Sequence, residues 1–276
     1  MAPLKAAAAW IYVPASRPDR LASAAASGAG RIVIDLEDTV EPWKKRAAAE
    51  ALRDLELPEL PVYLRVNAPG TEWHEGDLAV AAAMDLAGIL LPRADSREAI
   101  LQATRPLRAH QRVVPIVETA AGVLNVLEVA RAPRVERLAL GALDLQLDAG
   151  MQEGAAGIVV ARGQLVLASR AAEIEPPLDA VTLSIDPAAV GPAAVLARRD
   201  GFGGKLCIHP QQVEPVRRAF APDLADIEWA EAVLAAAAER RAGDHQPFLF
   251  RGALVDRPVL ARAQRIAIQR GDVNAA

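Results

Sequence analysis

In RIVIDLEDTV, residues 31–40, the strand-forming Ile32, Val33, Ile34 and Leu36 run into three acids, Asp35, Glu37 and Asp38. Apolar residues of this kind favour a dry setting, so acids at the tip of such a run mark either a solvated turn or a site. Two further acids, Glu118 in VVPIVET and Asp144 in RLALGALDL, stand at the ends of other apolar runs. A carboxylate pair without histidine or cysteine suits a hard cation, and Mg²⁺ commonly takes one or two protein carboxylates plus substrate and water. The alternative for each acid is an arginine partner or a helix cap; Glu118 precedes TAAGVLNVLEVA, which fits capping. Arg65 in YLRVN is a cation on an apolar run, and its planar fork matches a carboxylate in two-point contact. Its alternative role is as an internal partner for Glu37 or Asp38.

Three residues of the KLCIHP segment, 205–210, are expected to be structural. His209 opens a helical segment and should hydrogen-bond the rim rather than catalyse. Lys205 should pair with a carboxylate such as Glu37, because a two-carboxylate site makes a Schiff-base lysine redundant. Cys207, among apolar neighbours, reads as a buried thiol.

The elements that must position these groups recur along the chain. Strand-like runs occur at 10–14, 31–37, 61–67, 88–93, 113–119, 137–145, 178–185 and 205–210, with amphipathic helical segments between them. Alternating strand and helix argues for a parallel sheet, and eight such units predict an α/β fold, a closed (β/α)8 barrel. Barrels carry their chemistry at the C-terminal strand ends. Asp35, Glu37 and Asp38 end the second run, Arg65 with Asn67 the third, Glu118 the fifth, Asp144 the sixth and His209 the eighth. Glu118 and Asp144 therefore come from neighbouring strands and can face one cation. No Gly-x-Gly-x-x-Gly follows an early strand, and GFGGK at 201–205 precedes a strand and lacks the Ser or Thr of a phosphate loop.

Bulk properties narrow the classes. Of 276 residues, 52% are hydrophobic, enough for a sizeable core, yet no run approaches the roughly 18 apolar residues of a spanning helix. The N-terminus, MAPLKAAAAWIYVP, reads as mature protein leading into a strand rather than as a signal peptide. A net charge of −4 with interspersed signs argues against a nucleic-acid surface. The single cysteine fits a reducing cytoplasm.

The ordered set YVPASRPDR (12–20), IDLEDTV (34–40), LRVN (64–67), LLPR (90–93), IVETAAGV (116–123), LGALDL (140–145) and GFGGKLCIHPQQV (201–213) resembles the citrate lyase β-subunit-like family of the HpcH/HpaI aldolase superfamily. That resemblance implies a Mg²⁺-dependent barrel enzyme acting on acyl-CoA thioesters. It implies Glu118 and Asp144 as metal ligands, Arg65 as the grip on a 2-oxoacid carboxylate, and Asp38 with Glu37 around the metal's water shell. GALVD at 252–256 resembles the family's C-terminal motif, which makes Asp256 an acid or base delivered to a neighbouring subunit. The chain departs from the family pattern at Ser23, Ala49 and Arg93, mainly toward the CoA end.

The expected organisation is a barrel over 1–222 and a helical extension over 223–276 packing on a neighbouring subunit. Helices are expected at 223–242 and 255–270, with the FLF at 248–250 as a docking contact and a homotrimer or a multiple of it as the assembly. The expected reaction is cleavage or formation of a citryl-, malyl- or citramalyl-CoA-like thioester, giving a 2-oxoacid (oxaloacetate, pyruvate or glyoxylate) and an acyl-CoA. Arg17 and Arg20 are candidate contacts for the CoA phosphates, the alternative being a surface pair flanking SRPDR. Two rival readings remain. One is a metal aldolase on free 2-oxo-hydroxy acids, a class that usually has a histidine base near an early strand, whereas none precedes His74 here. The other is a β subunit acting within a larger lyase assembly.

Overall fold

The computed structural model describes residues 8–240 and 246–273. Eight parallel strands close into a barrel: β1 (Ala9–Pro14), β2 (Arg31–Asp35), β3 (Val62–Arg65), β4 (Gly88–Leu91), β5 (Arg112–Val117), β6 (Ala139–Leu140), β7 (Leu178–Asp179) and β8 (Gly204–Cys207). They pair in chain order, and Trp10 of β1 lies opposite Leu206 of β8 to complete the ring. This is the (β/α)8 architecture expected from the alternation of runs.

Successive strand residues face opposite sides, so parity decides what enters the barrel. In β2, Ile32 and Ile34 join the large core shared with the surrounding helices, whereas Val33 joins an inner cluster with Trp10, Tyr63, Leu90, Ile116 and Leu206. Counting by twos from those inner residues toward the C-terminal ends gives Tyr12, Asp35, Arg65 and Glu118. The polar residues of interest thus continue the barrel's own filling, one layer above its apolar plug. The register sets Asp35 directly beside Arg65 across β2 and β3.

Two predicted strands are much shorter than their apolar runs. The segment 137–145 contributes only Ala139–Leu140, because Gly141 leaves the sheet and a helix begins at Ala142, ending at Asp148. Asp144 is therefore in the first turn of a helix and not at a strand end. Segment 178–185 contributes Leu178–Asp179. Beyond it, Gln212 Nε2 donates to the carbonyls of Thr182 and Ser184 at 2.7 and 2.8 Å, so a side chain replaces ladder bonds there.

The chain divides into a barrel unit, Ala6–Phe220, and a second unit whose described part starts at Ala221. The second unit holds the helix Leu224–Ala238, an antiparallel hairpin of β9 (Phe248–Phe250) and β10 (Ala253–Val255), and the helix Arg257–Val273. FLF is not a free anchor. Phe248 and Phe250 pack on the unit's own core of Ala230, Val233, Val255, Ala263 and Ile266, and only Leu249, beside Leu254, faces outward. Among the described residues, no helix is long and apolar enough to cross a membrane.

Candidate active site

The site is built outward from Asp35, which is fully buried at the end of β2. Its carboxylate accepts from the backbone of Glu37 (2.9 Å) and Thr39 (3.2 Å) and from Thr39 Oγ1 (2.7 Å). Arg65 then closes on it two-point, Nε to Oδ1 at 2.6 Å and Nη2 to Oδ2 at 2.7 Å. Burial alone would raise the Asp35 pKa, but the Arg65 charge and these hydrogen bonds hold it below the ordinary range. Arg65 Nη1 lies 2.9 Å from both Glu37 and Asp38, and the Tyr12 ring lies 4.8 Å from its guanidinium carbon. The fork's two-point contact goes to Asp35, and Arg65 also pairs with Glu37 and Asp38, the internal role that was its alternative. An incoming carboxylate could reach the guanidinium on the Nη1 side only where Glu37 or Asp38 gives way.

Glu118 follows β5 and is buried. The capping alternative fails, since Thr119 Oγ1 accepts from Gly122 at 2.9 Å and caps the helix Ala120–Leu124 itself. Glu118 Oε1 accepts instead from the backbone N–H of Arg93 at 2.8 Å, and Arg93 holds a left-handed φ of 48°. Gly141 lies against its other side: a Cβ there would sit 2.5 Å from both Glu118 Cβ and Oε2. Any larger residue at 141 would displace the carboxylate.

Electrostatics single out this rim. Asp35, Glu37, Asp38, Glu118 and Asp144 all feel one guanidinium, that of Arg65. Burial, and then the Asp38, Glu118 and Asp35 charges, push Glu37 up to about 8 despite Arg65. Burial, with the Asp144 and Asp38 charges, pushes Glu118 up to about 7, and burial with Asp38 raises Asp144 as well. With no bound cation, the folded chain keeps protons on Glu37 and Glu118 that the unfolded chain releases at about pH 4.3. Their stabilising contribution is complete below that pH and is lost as pH rises through about 7 and 8. Melting in a chelator should therefore give a Tm that falls from roughly pH 6 to roughly pH 9; a rising Tm would show both groups ionised throughout.

A cavity of about 690 Å³ opens over these groups. The structure brings Arg65, Asp38, Glu118, Asp144, Arg20 and His209 into its lining. Glu37 sits behind, against Arg65. Arg17 is not in the lining and pairs on the surface with Asp19 at 2.7 and 2.9 Å, which is the surface alternative for that residue. His209 Nδ1 accepts from Gln211 at 3.3 Å to cap the turn Pro210–Gln212, the structural role expected of it. Lys205 does not pair with Glu37. It reaches Asp179 at 2.8 Å on adjacent β7, because its parity turns it away from the barrel interior. Burial pushes the Cys207 thiol up to about 12, leaving it inert. Asp256, in the second unit, caps the helix Arg257–Val273 by accepting from Val259 at 3.1 Å.

Asp35 is among the strand-end acids expected from the sequence, though not as the partner of Arg65; Tyr12 and Gly141 carry no expected role of their own, and inward parity is the signal that reaches Tyr12. Among the described residues, no group of three or more His, Cys, Asp or Glu side chains is arranged to hold a metal ion.

A model of the HpcH/HpaI aldolase/citrate lyase family matches residues 9–210. The citrate lyase subunit beta-like protein of Deinococcus radiodurans is 35% identical over 269 residues, 93% of this chain and 94% of the relative. A (3S)-malyl-CoA thioesterase of Cereibacter sphaeroides is 30% identical, over 94% and 95% of the two chains. Among solved structures, CitE of Mycobacterium tuberculosis in complex with magnesium, acetoacetate and coenzyme A superposes with a TM-score of 0.86 at 34% identity, covering 97% of this chain and 99% of that one.

Proposed function

Because the chain belongs to the HpcH/HpaI aldolase/citrate lyase family, we propose that its barrel mouth is the site of a Mg²⁺-dependent carbon–carbon lyase. The substrate would be a 3-hydroxy-diacid CoA thioester, and the products a 2-oxoacid and an acyl-CoA. One observation carries this reading: five carboxylates around a single guanidinium at a cavity wall, with three of them, Glu37, Glu118 and Asp144, pushed up by burial and neighbouring carboxylates. Glu118 and Asp144 fit a hard divalent ion in that deficit, as an oxygen-only donor pair held open toward the cavity by Gly141. When bound, Mg²⁺ would act as a Lewis acid on the oxygens of the oxoacid portion, an effect worth several kcal/mol.

The chain's own residues would do the rest. Asp38, whose side chain is 65% exposed, would swing off Arg65 Nη1 and leave that side to the oxoacid carboxylate. Asp35 would keep the guanidinium in place meanwhile. Asp38 with Glu37 would order water around the ion, and Asp256 of a neighbouring subunit would carry the proton. Arg20, in the cavity lining, would meet the CoA phosphates; Arg17, already paired with Asp19, is the weaker candidate. The free-acid aldolase reading loses support here, because His74 is buried with Nδ1 at 2.7 Å from the Asn67 carbonyl and is not in the cavity lining.

The test is an assay of the purified protein against citryl-, malyl- and citramalyl-CoA, following oxoacid and free thiol separately. Oxoacid release without thiol supports the lyase. Thiol release without oxoacid would make the chain a thioesterase like its relative, and activity confined to free 2-oxo-hydroxy acids would make it an aldolase. Arg65→Lys keeps the charge but loses the fork, both toward Asp35 and toward ligand. Calorimetry with Mg²⁺ should show oxaloacetate or pyruvate binding weakened about 10- to 100-fold, the value of a hydrogen bond to a charged group. Unchanged affinity would remove Arg65 from its role.

A further inference from the structure

Tyr12 is the next inward residue above Trp10 on β1, and it lines the cavity with Arg65 and Glu118. Its ring covers one face of the Arg65 guanidinium at 4.8 Å, while Asp35 occupies the Nε–Nη2 edge. Among the described residues, no group of the protein hydrogen-bonds the Tyr12 hydroxyl, whereas Asp35, Thr39 and Asp38 beside Arg65 are engaged. Burial raises this phenol well above its usual value, and the Asp35, Glu37 and Glu118 charges raise it further against the opposing Arg65 charge. It therefore stays an O–H donor throughout the working range, available to an acceptor that arrives in the cavity. The residue is half-buried and its hydroxyl is reachable from the cavity it lines, so an incoming oxygen can take the place of water there. Its natural complement is a ligand oxygen.

We propose that Tyr12 is a ligand-contacting residue, its hydroxyl donating to the oxoacid carboxylate that docks on the Nη1 side of Arg65. The inference rests on the reading of Arg65 as that carboxylate's anchor. Ring and hydroxyl then have separate duties: the ring blocks one face of the guanidinium so that ligands approach in its plane, and the hydroxyl takes a carboxylate oxygen that arrives there. The contact exists in substrate and product alike, so it contributes to binding rather than to the chemical step.

Tyr12→Phe deletes the hydroxyl and keeps the ring over Arg65. With Mg²⁺ present, calorimetry should show oxaloacetate and pyruvate affinities both reduced about 10- to 100-fold, with CoA affinity and Tm unchanged. In the thioester assay KM should rise by a similar factor at constant kcat. Oxoacid affinity within twofold of the parent would overturn the inference while leaving Arg65 and the lyase reading intact. A loss of CoA affinity and Tm together with oxoacid affinity would assign Tyr12 a packing role and overturn it as well. Absence of Mg²⁺-supported oxoacid binding in the parent protein would instead overturn the underlying reading, and the inference with it.

Discussion

Glu118→Gln should lower carbon–carbon cleavage roughly 10³-fold, the kinetic equivalent of losing several kcal/mol of Lewis-acid stabilisation. The glutamine keeps the size of the side chain and can still accept from the Arg93 N–H, so the cradle beside Gly141 stays filled. It cannot supply the anionic oxygen that a hard cation requires. Calorimetry should therefore show Mg²⁺-supported oxoacid binding abolished, with Asp144→Asn giving the same result from the other side of the site. Stability should move the opposite way. Removing a buried carboxyl that titrates at about 7 should leave the chelated protein's Tm unchanged or higher at pH 8. Gly141→Ala reaches the same endpoint sterically, since its Cβ would overlap the carboxylate at 2.5 Å. Unchanged Mg²⁺-supported binding in Glu118→Gln would remove Glu118 from the metal assignment.

Asp256→Asn should cost about 10² to 10⁴ in turnover, the usual worth of a positioned acid or base, while metal and oxoacid binding persist. The asparagine retains a side-chain oxygen for the Val259 N–H, so the start of the last helix stays capped and the loss reports chemistry. If each tail serves a neighbour's barrel, mixing this variant with Glu118→Gln should restore activity at about a quarter of the sites, those combining an intact barrel with an intact tail. Glu118→Gln is the better partner than an Arg65 truncation, which would leave Asp35 buried and unpaired at a cost of about 3–5 kcal/mol. Light scattering should give a trimer or a multiple of it. A monomer, or subunit exchange with no recovered activity, would end the shared-site reading.

Much of this architecture was legible in the chain because the apolar runs are spaced as barrel strands must be. The eight strands and their closure followed from period alone. Boundaries failed where a glycine or a side chain intervened: Gly141 converts the end of one run into a helix that carries Asp144, and Gln212 strips the ladder from another. Partner identities failed for a different reason. That Asp35 faces Arg65, and Lys205 faces Asp179, depends on inter-strand register, which no single strand encodes. The residues around FLF read as an anchor because its aromatics are conspicuous, yet alternation turns two of the three into their own unit's core.

The pairing of Asp35 with Arg65 also bears on how the barrel assembles. A one-residue slip of β2 against β3 would move every side chain of β2 to the opposite face. Asp35 would then be pressed among the aliphatic residues under the helices, and Arg65 would point into the barrel with its strongest partner gone. Both would be buried ions without compensation, a far heavier penalty than a slipped row of valines and leucines incurs. The Asp35–Arg65 pair therefore also serves as a proofreading latch on strand alignment, since only the correct register leaves neither ion stranded.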